Sequence, residues 1–458
     1  MRKFSVILRQ VTLFIVWAVF LSDSSLGSKF DQVEQRTQGK YVFAHYMVCC
    51  PVKGPGASVD DYKDEIRSAQ KYHIDGFALN CGHWNEVEPE YKKRVLRIYE
   101  AAKELGTGFK LFISDDGLSR QELEDIVDTL SNQPNQFYFR GKFVLSTFSR
   151  EGKDNRQGKE LMEFAKNKRL FFIPFFYTRP IVFPLISDLL AENLINTFPD
   201  IDGYFYFAAG TRSDQVVNSN INLSRSLHER KKIFMAGIYP YYRGNSTNYR
   251  LFDTKGFQGM EDQWRSAIDV GADWVELVTW NDWNESTYMA PFGSPDTTAL
   301  TWGTAGKLLS HSAYLEASKY YIDWFKAGVP PHISTDQLYY FYRLAPMKLS
   351  ATVTPKEFSD MGRPKNVSTL EDRVYVTAFL KYPATLIVEI GGDHSTFNLQ
   401  AGLQNVDVPF EFGRPTFTLI RNGSVILKKT GEQEISDSDS SSRFNYFSGH
   451  ALVEETFR

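Results

Sequence analysis

The sequence predicts an α/β fold in which a (β/α)8 TIM barrel is followed by a C-terminal antiparallel β-sandwich. From residue 40 onward, short apolar runs alternate with longer amphipathic stretches, which is the order expected of a repeated strand–helix unit. After Pro330-Pro331 the pattern changes to short runs separated by turn residues. The chain has 458 residues, of which 42% are hydrophobic, and this is enough for two domains with separate cores.

The N-terminus is typical of a secretory signal peptide. Positive charges precede an apolar run, Val11–Leu21, and Ser25 and Gly27 supply the small residues of a cleavage site. The run is shorter than the roughly 20 apolar residues of a membrane span. We therefore expect a signal peptide over residues 1–27, an N-terminal lead-in over 28–39 and an exported, soluble protein. An uncleaved signal anchor is the alternative.

Four N-x-[ST] sequons agree with export and a glycoprotein, and they begin at Asn222, Asn245, Asn366 and Asn422. A fifth, at Asn284, lies in the predicted active site, where we do not expect a glycan.

Eight runs rich in Val, Ile, Phe and Tyr give the barrel strands, and they lack the polar alternation of a half-exposed sheet. They are Tyr41–Val48, Ile74–Asn80, Phe109–Ser114, Phe143–Phe148, Leu170–Phe176, Gly203–Ala208, Ile233–Tyr239 and Trp274–Trp280. Helices are predicted at Ser58–Tyr72, Glu88–Leu105, Arg120–Leu130, Lys159–Asn167, Met260–Val270 and Ala305–Phe325. The barrel is assigned to residues 40–330. An open sheet with a miscounted strand is the alternative, but its usual G-x-G-x-x-G and P-loop motifs are absent.

Residues 331–458 are assigned to the β-sandwich. Its strands are predicted at Leu338–Leu344, Arg373–Leu380, Ala384–Ile390, Ser395–Leu399, Thr416–Arg421, Ser424–Lys428 and Phe444–Val453. The Asn422-Gly423 pair between two of these runs is a strong hairpin signal. The sandwich could bind carbohydrate or brace the barrel.

Charge and cysteine content exclude several classes of function. The net charge is -3 and no block of basic residues occurs, which argues against nucleic acid as a partner. The three cysteines are Cys49, Cys50 and Cys81, too few for a disulfide framework. Either Cys49 or Cys50 bridges to Cys81, or all three are reduced. No zinc-binding spacing is present, so no metal or other cofactor is expected.

The strongest catalytic candidates follow the eighth predicted strand, since barrel enzymes place their chemistry at the C-terminal ends of the strands. There the segment Trp280–Ser286 sets Asp282 and Glu285 three residues apart, among two tryptophans and two asparagines. Hydrolysis of a glycosidic bond needs one carboxylic acid to protonate the leaving oxygen and a second carboxylate. Aromatic walls raise the pKa of one carboxyl group, while amide hydrogen bonds keep the other ionised. A helix-capping role is the alternative for such residues.

Other strand ends supply candidate substrate-binding residues. Together with the aromatic and amide neighbours of the carboxylates, they are His45, Asn80, Asp116, Tyr239, Trp280, Asn281 and Trp283. For Asp115-Asp116 the alternative is a turn before a helix, and for His45 it is a buried histidine bonded to backbone. No G-x-S-x-G motif occurs, which disfavours an esterase.

The chain resembles glycoside hydrolase family 71, the fungal α-1,3-glucanases or mutanases. The resemblance rests on four segments, Val42–Val48, Ile74–Asn80, Phe109–Ser114 and Val278–Ser286, with sequences VFAHYMV, IDGFALN, FKLFIS and VTWNDWNES. It implies endo-hydrolysis of α-1,3-glucan with inversion, and it places the catalytic carboxylates at Asp282 and Glu285. We assign Glu285 as general acid and Asp282 as general base; the reverse assignment stays open.

Three segments depart from the family pattern. Cys49-Cys50-Pro51 stands where a Gly/Asn-containing loop is expected, and Ser114-Asp115-Asp116-Gly117 replaces Ser-Phe-Asp-Met, which matches Asp116 to the family aspartate. Trp283-Asn284 replaces Tyr-Gly. The bulkier pair beside the carboxylates bears on linkage and subsite preference.

The expected partner is therefore a polysaccharide, an α-glucan, bound by a monomeric protein that is secreted or located in the cell wall. Two other functions remain open at this stage: a glycosidase of different linkage specificity, and a non-catalytic glucan-binding protein.

Overall fold

The computed structural model describes residues 39–151, 155–178, 185–244, 250–291, 308–348, 370–437 and 444–453. The chain divides into two compact units, Met1–Lys40 and Tyr41–Arg458, and only residues 39 and 40 of the first are described. The predicted signal peptide and most of the lead-in therefore lie outside the described residues, as do the sequons at Asn245 and Asn366.

A curled sheet of nine strands forms the first part of this unit, and eight of the nine are parallel. All eight predicted runs form strands of this sheet. The strands up to residue 277 are β1 (Tyr41–Met47), β2 (Gly76–Cys81), β3 (Lys110–Asp115), β4 (Tyr138–Phe139), β5 (Lys142–Glu151), β6 (Phe171–Thr178), β7 (Gly203–Tyr206), β8 (Ile233–Ile238), β9 (Tyr242–Arg243), β10 (Leu251–Phe252) and β11 (Trp274–Leu277). The short β4 pairs antiparallel with β5, and β9 and β10 form a separate antiparallel pair.

The order of the parallel strands is β6-β5-β3-β2-β1-β11-β8-β7. Thus β1, the first strand of the chain, pairs with β11, the last strand of the parallel sheet, with Tyr41 opposite Trp274. Between β6 and β7 no ladder occurs among the described residues, and the two edges are linked by Asp202, whose amide donates to the Phe172 carbonyl at 2.9 Å. The α/β class is confirmed, with a curled sheet whose carboxyl ends face one side.

Eight helices are described in this part, and six of them were predicted. They are α1 (Val59–Lys71), α2 (Tyr91–Leu105), α3 (Arg120–Leu130), α4 (Arg156–Asn167), α5 (Asp188–Thr197), α6 (Ser213–Glu229), α7 (Gln258–Asp269) and α8 (Ser312–Ala327). Capping boxes at Ser58 and Ser119 start α1 and α3. Of the helices in the described ranges, none combines the length and apolar composition needed to cross a bilayer.

The C-terminal part contains two separate antiparallel sheets, in the orders β16-β13-β12-β19 and β15-β14-β17-β18. Their strands are β12 (Gln337–Arg343), β13 (Arg373–Leu380), β14 (Ala384–Ile390), β15 (Asp393–Leu399), β16 (Gly402–Pro409), β17 (Thr416–Arg421), β18 (Ser424–Thr430) and β19 (Tyr446–Leu452). Side chains of both sheets share one apolar core, and the rings of Tyr340 and Phe417 stack across it at 4.5 Å. The predicted hairpin is present: Asn422 and Gly423 have φ of 51° and 77°, as its type I′ turn requires. The strand β16 was not predicted.

Candidate active site

The loop after β11 carries Asp282 and Glu285, and its own hydrogen bonds fix its shape. The amide of Asp282 donates to Thr279 Oγ1 at 2.8 Å, and the amide of Glu285 donates to Asp282 Oδ1 at 3.0 Å. Both side chains are partly buried. The backbone amide of Glu285 therefore holds the Oδ1 oxygen of Asp282 in a fixed direction.

Glu285 is anchored by β9 at both its side chain and its backbone. The Tyr242 hydroxyl donates to Glu285 Oε1 at 2.9 Å, and the amide of Arg243 donates to the Glu285 carbonyl at 2.8 Å. Burial and then the neighbouring Asp282 carboxylate raise the pKa of Glu285 to about 8, against the opposing effects of Tyr242 and Arg250. A carboxylic acid with such a pKa keeps its proton at neutral pH. Tyr242 was not predicted, because it lies beyond the strand end, in a hairpin with no sequence signal of its own.

Several neighbouring groups shift the pKa of Asp282. Its pKa is raised by burial, while the backbone amide of Glu285 and the side chain of His45 oppose the rise. Asp116 raises the pKa of both Asp282 and Glu285. Such interactions between charges act over short range in a partly buried site, so Asp116, Asp282 and Glu285 lie close together in the structure.

Asp116 and Asn80 lie side by side at the ends of β3 and β2. The Asn80 amide donates to Asp116 Oδ2 at 3.3 Å. Burial raises the pKa of Asp116, while Asn80 and His45 lower it. The preceding Asp115 faces elsewhere: its Oδ1 accepts from the amides of Gly117 and Leu118. The turn interpretation therefore describes Asp115, and the site interpretation remains for Asp116.

His45 lies inside the curled sheet beneath the acids. Its Nδ1 is 2.6 Å from Glu276 Oε1, and the two side chains are 1% and 0% exposed. Burial raises the pKa of Glu276, and the contact with His45 opposes this. The alternative considered for His45 was a buried histidine bonded to backbone; His45 is buried, but its partner is a carboxyl group. Glu276 itself was missed, although a lone glutamate within the apolar run of β11 is a signal for such a pair.

Trp280, Asn281 and Trp283 direct their polar atoms into the protein. Trp280 Nε1 donates to Glu65 Oε2 at 2.9 Å. Asn281 bonds to the backbone of Met47 and Cys50, and Trp283 Nε1 donates to the Cys50 carbonyl at 3.0 Å. These contacts hold the loop in place, and the three side chains are almost completely buried.

Tyr239 is likewise engaged within the protein. Its side chain is buried, its hydroxyl donates to the Thr211 carbonyl, and its amide donates to Gln263 Oε1 at 2.9 Å. The structure does not bring its hydroxyl to the carboxylates.

The cysteines differ from both arrangements considered for them. Cys49 and Cys50 form a disulfide with each other, and Cys81 is a buried thiol. A bond between adjacent residues was not among the alternatives, which were a bridge between neighbouring strand ends and three reduced cysteines. Burial raises the pKa of the Cys81 thiol, which keeps it protonated and unreactive. In the part of the chain that the structure describes, no cluster of three or more His, Cys, Asp or Glu side chains is arranged to hold a metal ion.

Comparison with known proteins decides the family. Residues 38–456 match the sequence model of glycosyl hydrolase family 71. The chain belongs to this family. It is therefore a glycoside hydrolase, and the carboxylates of the β11 loop are the natural candidates for its chemistry.

Relatives of this family 71 enzyme cover almost its whole length. It is 28% identical over 436 residues to the glucan endo-1,3-alpha-glucosidase agn1 of Schizosaccharomyces pombe, covering 90% of this chain and 94% of that protein. It is 25% identical over 434 residues to a mutanase of Penicillium rubens, covering 91% and 90%. It is also 25% identical over 449 residues to the ascus wall endo-1,3-alpha-glucanase of S. pombe, covering 89% and 96%.

The raised pKa of Glu285 predicts that the free energy of unfolding falls when this group ionises at higher pH. Because the pKa rises from 4.5 to about 8 on folding, the unfolded chain loses this proton first, and stability falls as the pH rises through that window. Glu285→Gln removes the titrating group and keeps the acceptor for Tyr242. We expect its melting temperature to exceed that of the wild type by about 2 °C at pH 8 and to equal it near pH 4. Differential scanning calorimetry across this range measures the difference.

The matched control is Glu86→Gln, since Glu86 is exposed and its replacement should leave the melting temperature unchanged at every pH. A Glu285→Gln difference that does not vary with pH would contradict the argument.

Proposed function

We propose that this family 71 enzyme is a secreted α-1,3-glucanase that cuts its substrate internally with inversion, at the carboxyl ends of the strands of a (β/α)8 barrel. The observation that supports this best is Glu285, a carboxyl group with a strongly raised pKa beside the hydrogen-bonded carboxylate of Asp282. The names of the relatives, a glucan endo-1,3-alpha-glucosidase, a mutanase and an endo-1,3-alpha-glucanase, support the choice of substrate. The pairing of β1 with β11 supports a barrel closed at the Asp202 seam.

Glu285 is the general acid in this proposal. Its proton passes to the glycosidic oxygen as the bond to the anomeric carbon breaks, which leaves the departing sugar as a neutral alcohol. Tyr242 fixes the Oε1 oxygen, so the other oxygen of the carboxyl group is the one presented to the substrate. Burial and the nearby Asp282 keep the proton on Glu285 until the transition state forms.

Asp282 is the general base. It removes a proton from a water molecule, and the oxygen of that water attacks the anomeric carbon on the face opposite the leaving group. The backbone amide of Glu285 and the nearby His45 favour the ionised form of Asp282. An inverting enzyme holds its carboxyl groups roughly 6.5–9.5 Å apart, and this spacing is part of the proposal.

The remaining predicted site residues take two roles. Asp116 and Asn80, paired at the mouth of the sheet, bind sugar hydroxyls, and His45 supports Asp116 and Asp282 from below. Trp280, Asn281, Trp283 and Tyr239 form the walls behind the substrate and hold the loop, because their polar atoms bond to the protein.

Amide substitutions test the assignment of the carboxylates. We expect Asp282→Asn and Glu285→Gln each to lower reducing-sugar release from insoluble α-1,3-glucan by about 100- to 10,000-fold, because each removes a proton transfer while keeping its volume. Asp269→Asn on the exposed side of α7 is the matched control and should retain full activity. Proton NMR of the first products should show the β-anomer if configuration inverts.

Two other outcomes have definite meanings. Release from a glucan of another linkage, but not from α-1,3-glucan, would assign the enzyme a different specificity, as the Trp283-Asn284 departure allows. If all glucans stay intact while wild-type protein still binds them, catalysis is lost and the proposal fails.

The pH dependence of the rate depends on Tyr242. Since Glu285 must be protonated, kcat/KM should fall as the pH rises through its pKa. Tyr242 stabilises the ionised form, so Tyr242→Phe should raise that pKa and move the basic limb upward by up to about one pH unit. The control is Tyr241→Phe, whose hydroxyl bonds to the Phe444 carbonyl instead. A basic limb that stays in place, or moves to lower pH, would count against Glu285 as the acid.

Secretion and glycosylation are tested on the full-length chain expressed in yeast. We expect mature protein in the medium that begins near residue 28 and carries a glycan at Asn422, which lies in an exposed turn. Asn222 is a poor acceptor because its side chain donates to the Ile186 carbonyl at 2.8 Å. N-terminal sequencing and the mass lost on N-glycosidase treatment, for wild type and Asn422→Gln, give the answer. Membrane-bound protein that keeps residues 1–27 would favour the signal anchor instead.

A further inference from the structure

The disulfide between Cys49 and Cys50 lies just beyond the end of β1 at Met47. Neither sulfur has a role in the proposed reaction. The backbone of the pair, in contrast, contacts the loop that carries the proposed base.

The Cys50 carbonyl is the common acceptor for the two residues that flank Asp282. Asn281 Nδ2 donates to it at 2.7 Å, and Trp283 Nε1 donates to it at 3.0 Å. Asn281 also bonds to both backbone groups of Met47, at 2.7 Å and 3.0 Å. Because Asn281 is 0% exposed, a shift of the Cys50 carbonyl would leave buried donors without acceptors, unless the loop moved with it.

The Cys49 carbonyl is held from the other side. Arg94 Nη1 donates to it at 2.8 Å, and the buried guanidinium of Arg94 is itself fixed by Glu88 at 2.7 Å. The two carbonyl groups of the pair are thus held by different buried side chains, that of Cys49 by one side chain from α2 and that of Cys50 by two from the loop after β11. Their relative direction depends on the backbone torsions between Cys49 and Cys50.

We propose that the Cys49–Cys50 disulfide is a positioning element for Asp282. A bond between adjacent side chains closes a small ring that includes their peptide group, and this ring restricts the torsions that set the direction of the Cys50 carbonyl. That carbonyl fixes Asn281 and Trp283, which fix Asp282 between them. The inference rests on the proposed function, since it assigns Asp282 a proton transfer that requires accurate placement.

The experiment compares wild-type protein with the Cys49→Ser/Cys50→Ser double variant, before and after treatment with a phosphine reductant. The phosphine supplies the two electrons that split the bond into two thiols. With soluble α-1,3-linked oligosaccharides as substrate, we expect reduction of the wild type to lower kcat by about 10- to 100-fold with KM changed less than about twofold. The double variant should have the low kcat from the start and should not respond to the reductant.

Controls separate positioning from loss of the fold. Cys81→Ala keeps the disulfide and should respond to the reductant as the wild type does, and reoxidation of the reduced wild type should restore kcat. Thiol titration should show two additional thiols on reduction. If the double variant fails to fold, the reduced and reoxidised wild type still gives the comparison.

The outcomes distinguish this inference from the proposed function. Unchanged kcat after a reduction that exposes both thiols would overturn the positioning role, as would the absence of additional thiols. If the oxidised wild type cuts no glucan, the proposed function fails, and tryptophan fluorescence then tests the loop directly.

In that case the fluorescence spectrum should change when the disulfide is reduced, and Trp283→Phe should remove this change, which supports the contact through Cys50. A spectrum that reduction leaves unchanged overturns the coupling between the disulfide and the loop.

Discussion

The hydrogen bonds between the end of β1 and the loop after β11 are the constraint on which the active face depends. The Trp280 amide donates to the His45 carbonyl at 2.7 Å, and Asn281 then bonds to the backbone of Met47 and Cys50. These bonds extend the pairing of the first and last parallel strands beyond the strands themselves. Trp280, Asn281 and Trp283, which were predicted to bind sugar, are used to build this junction, whereas the carboxyl groups of Asp282 and Glu285 bond to the Glu285 amide and to Tyr242.

Burial of several acids at one place has an energetic consequence. Burial raises the pKa of Asp116, Asp282 and Glu285, and the charge of Asp116 adds to the rise for the other two, as that of Asp282 does for Glu285. Glu276 and Glu65 are further buried carboxyl groups. Grouping like charges away from water disfavours the folded state when they ionise. Burial and the neighbouring Asp282 also keep a proton on Glu285, so in the proposed mechanism the property that costs stability is the one that supplies the acid.

The eight parallel strands were predictable because each is a compact run of β-branched and aromatic residues between polar segments. The helices α5 and α6 were missed because their composition gives no clear helical spacing of apolar residues. In α6, buried Val216, Leu223 and Leu227 lie among Asn and Ser residues, so packing rather than helix propensity decides its conformation. The carboxylates of the β11 loop were predictable from residue type and place. Tyr242 and the Cys49–Cys50 disulfide were not, since Tyr242 acts through a contact with a residue distant in sequence and the disulfide depends on a loop geometry that residue types do not encode. Glu276 was missed although it left a signal, a lone glutamate in an apolar run.

A stack of rings connects the loop after β11 to Asn445, just before β19 of the C-terminal sheets, and this connection favours a bracing role for the sheets over a separate binding role. Trp283 packs against Tyr288 at 4.9 Å, Tyr288 stacks on His311 at 4.3 Å, and His311 Nε2 lies 3.0 Å from Asn445 Oδ1, just before β19. Burial lowers the pKa of His311 to about 4, so a neutral ring can occupy this apolar stack at neutral pH. Trp283 is thus fixed on one side by Cys50 and on the other by residues that the C-terminal sheets hold. The position of Asp282 therefore depends on Cys50, after β1, and on Asn445, before β19. The curled sheet and the C-terminal sheets together support the candidate site.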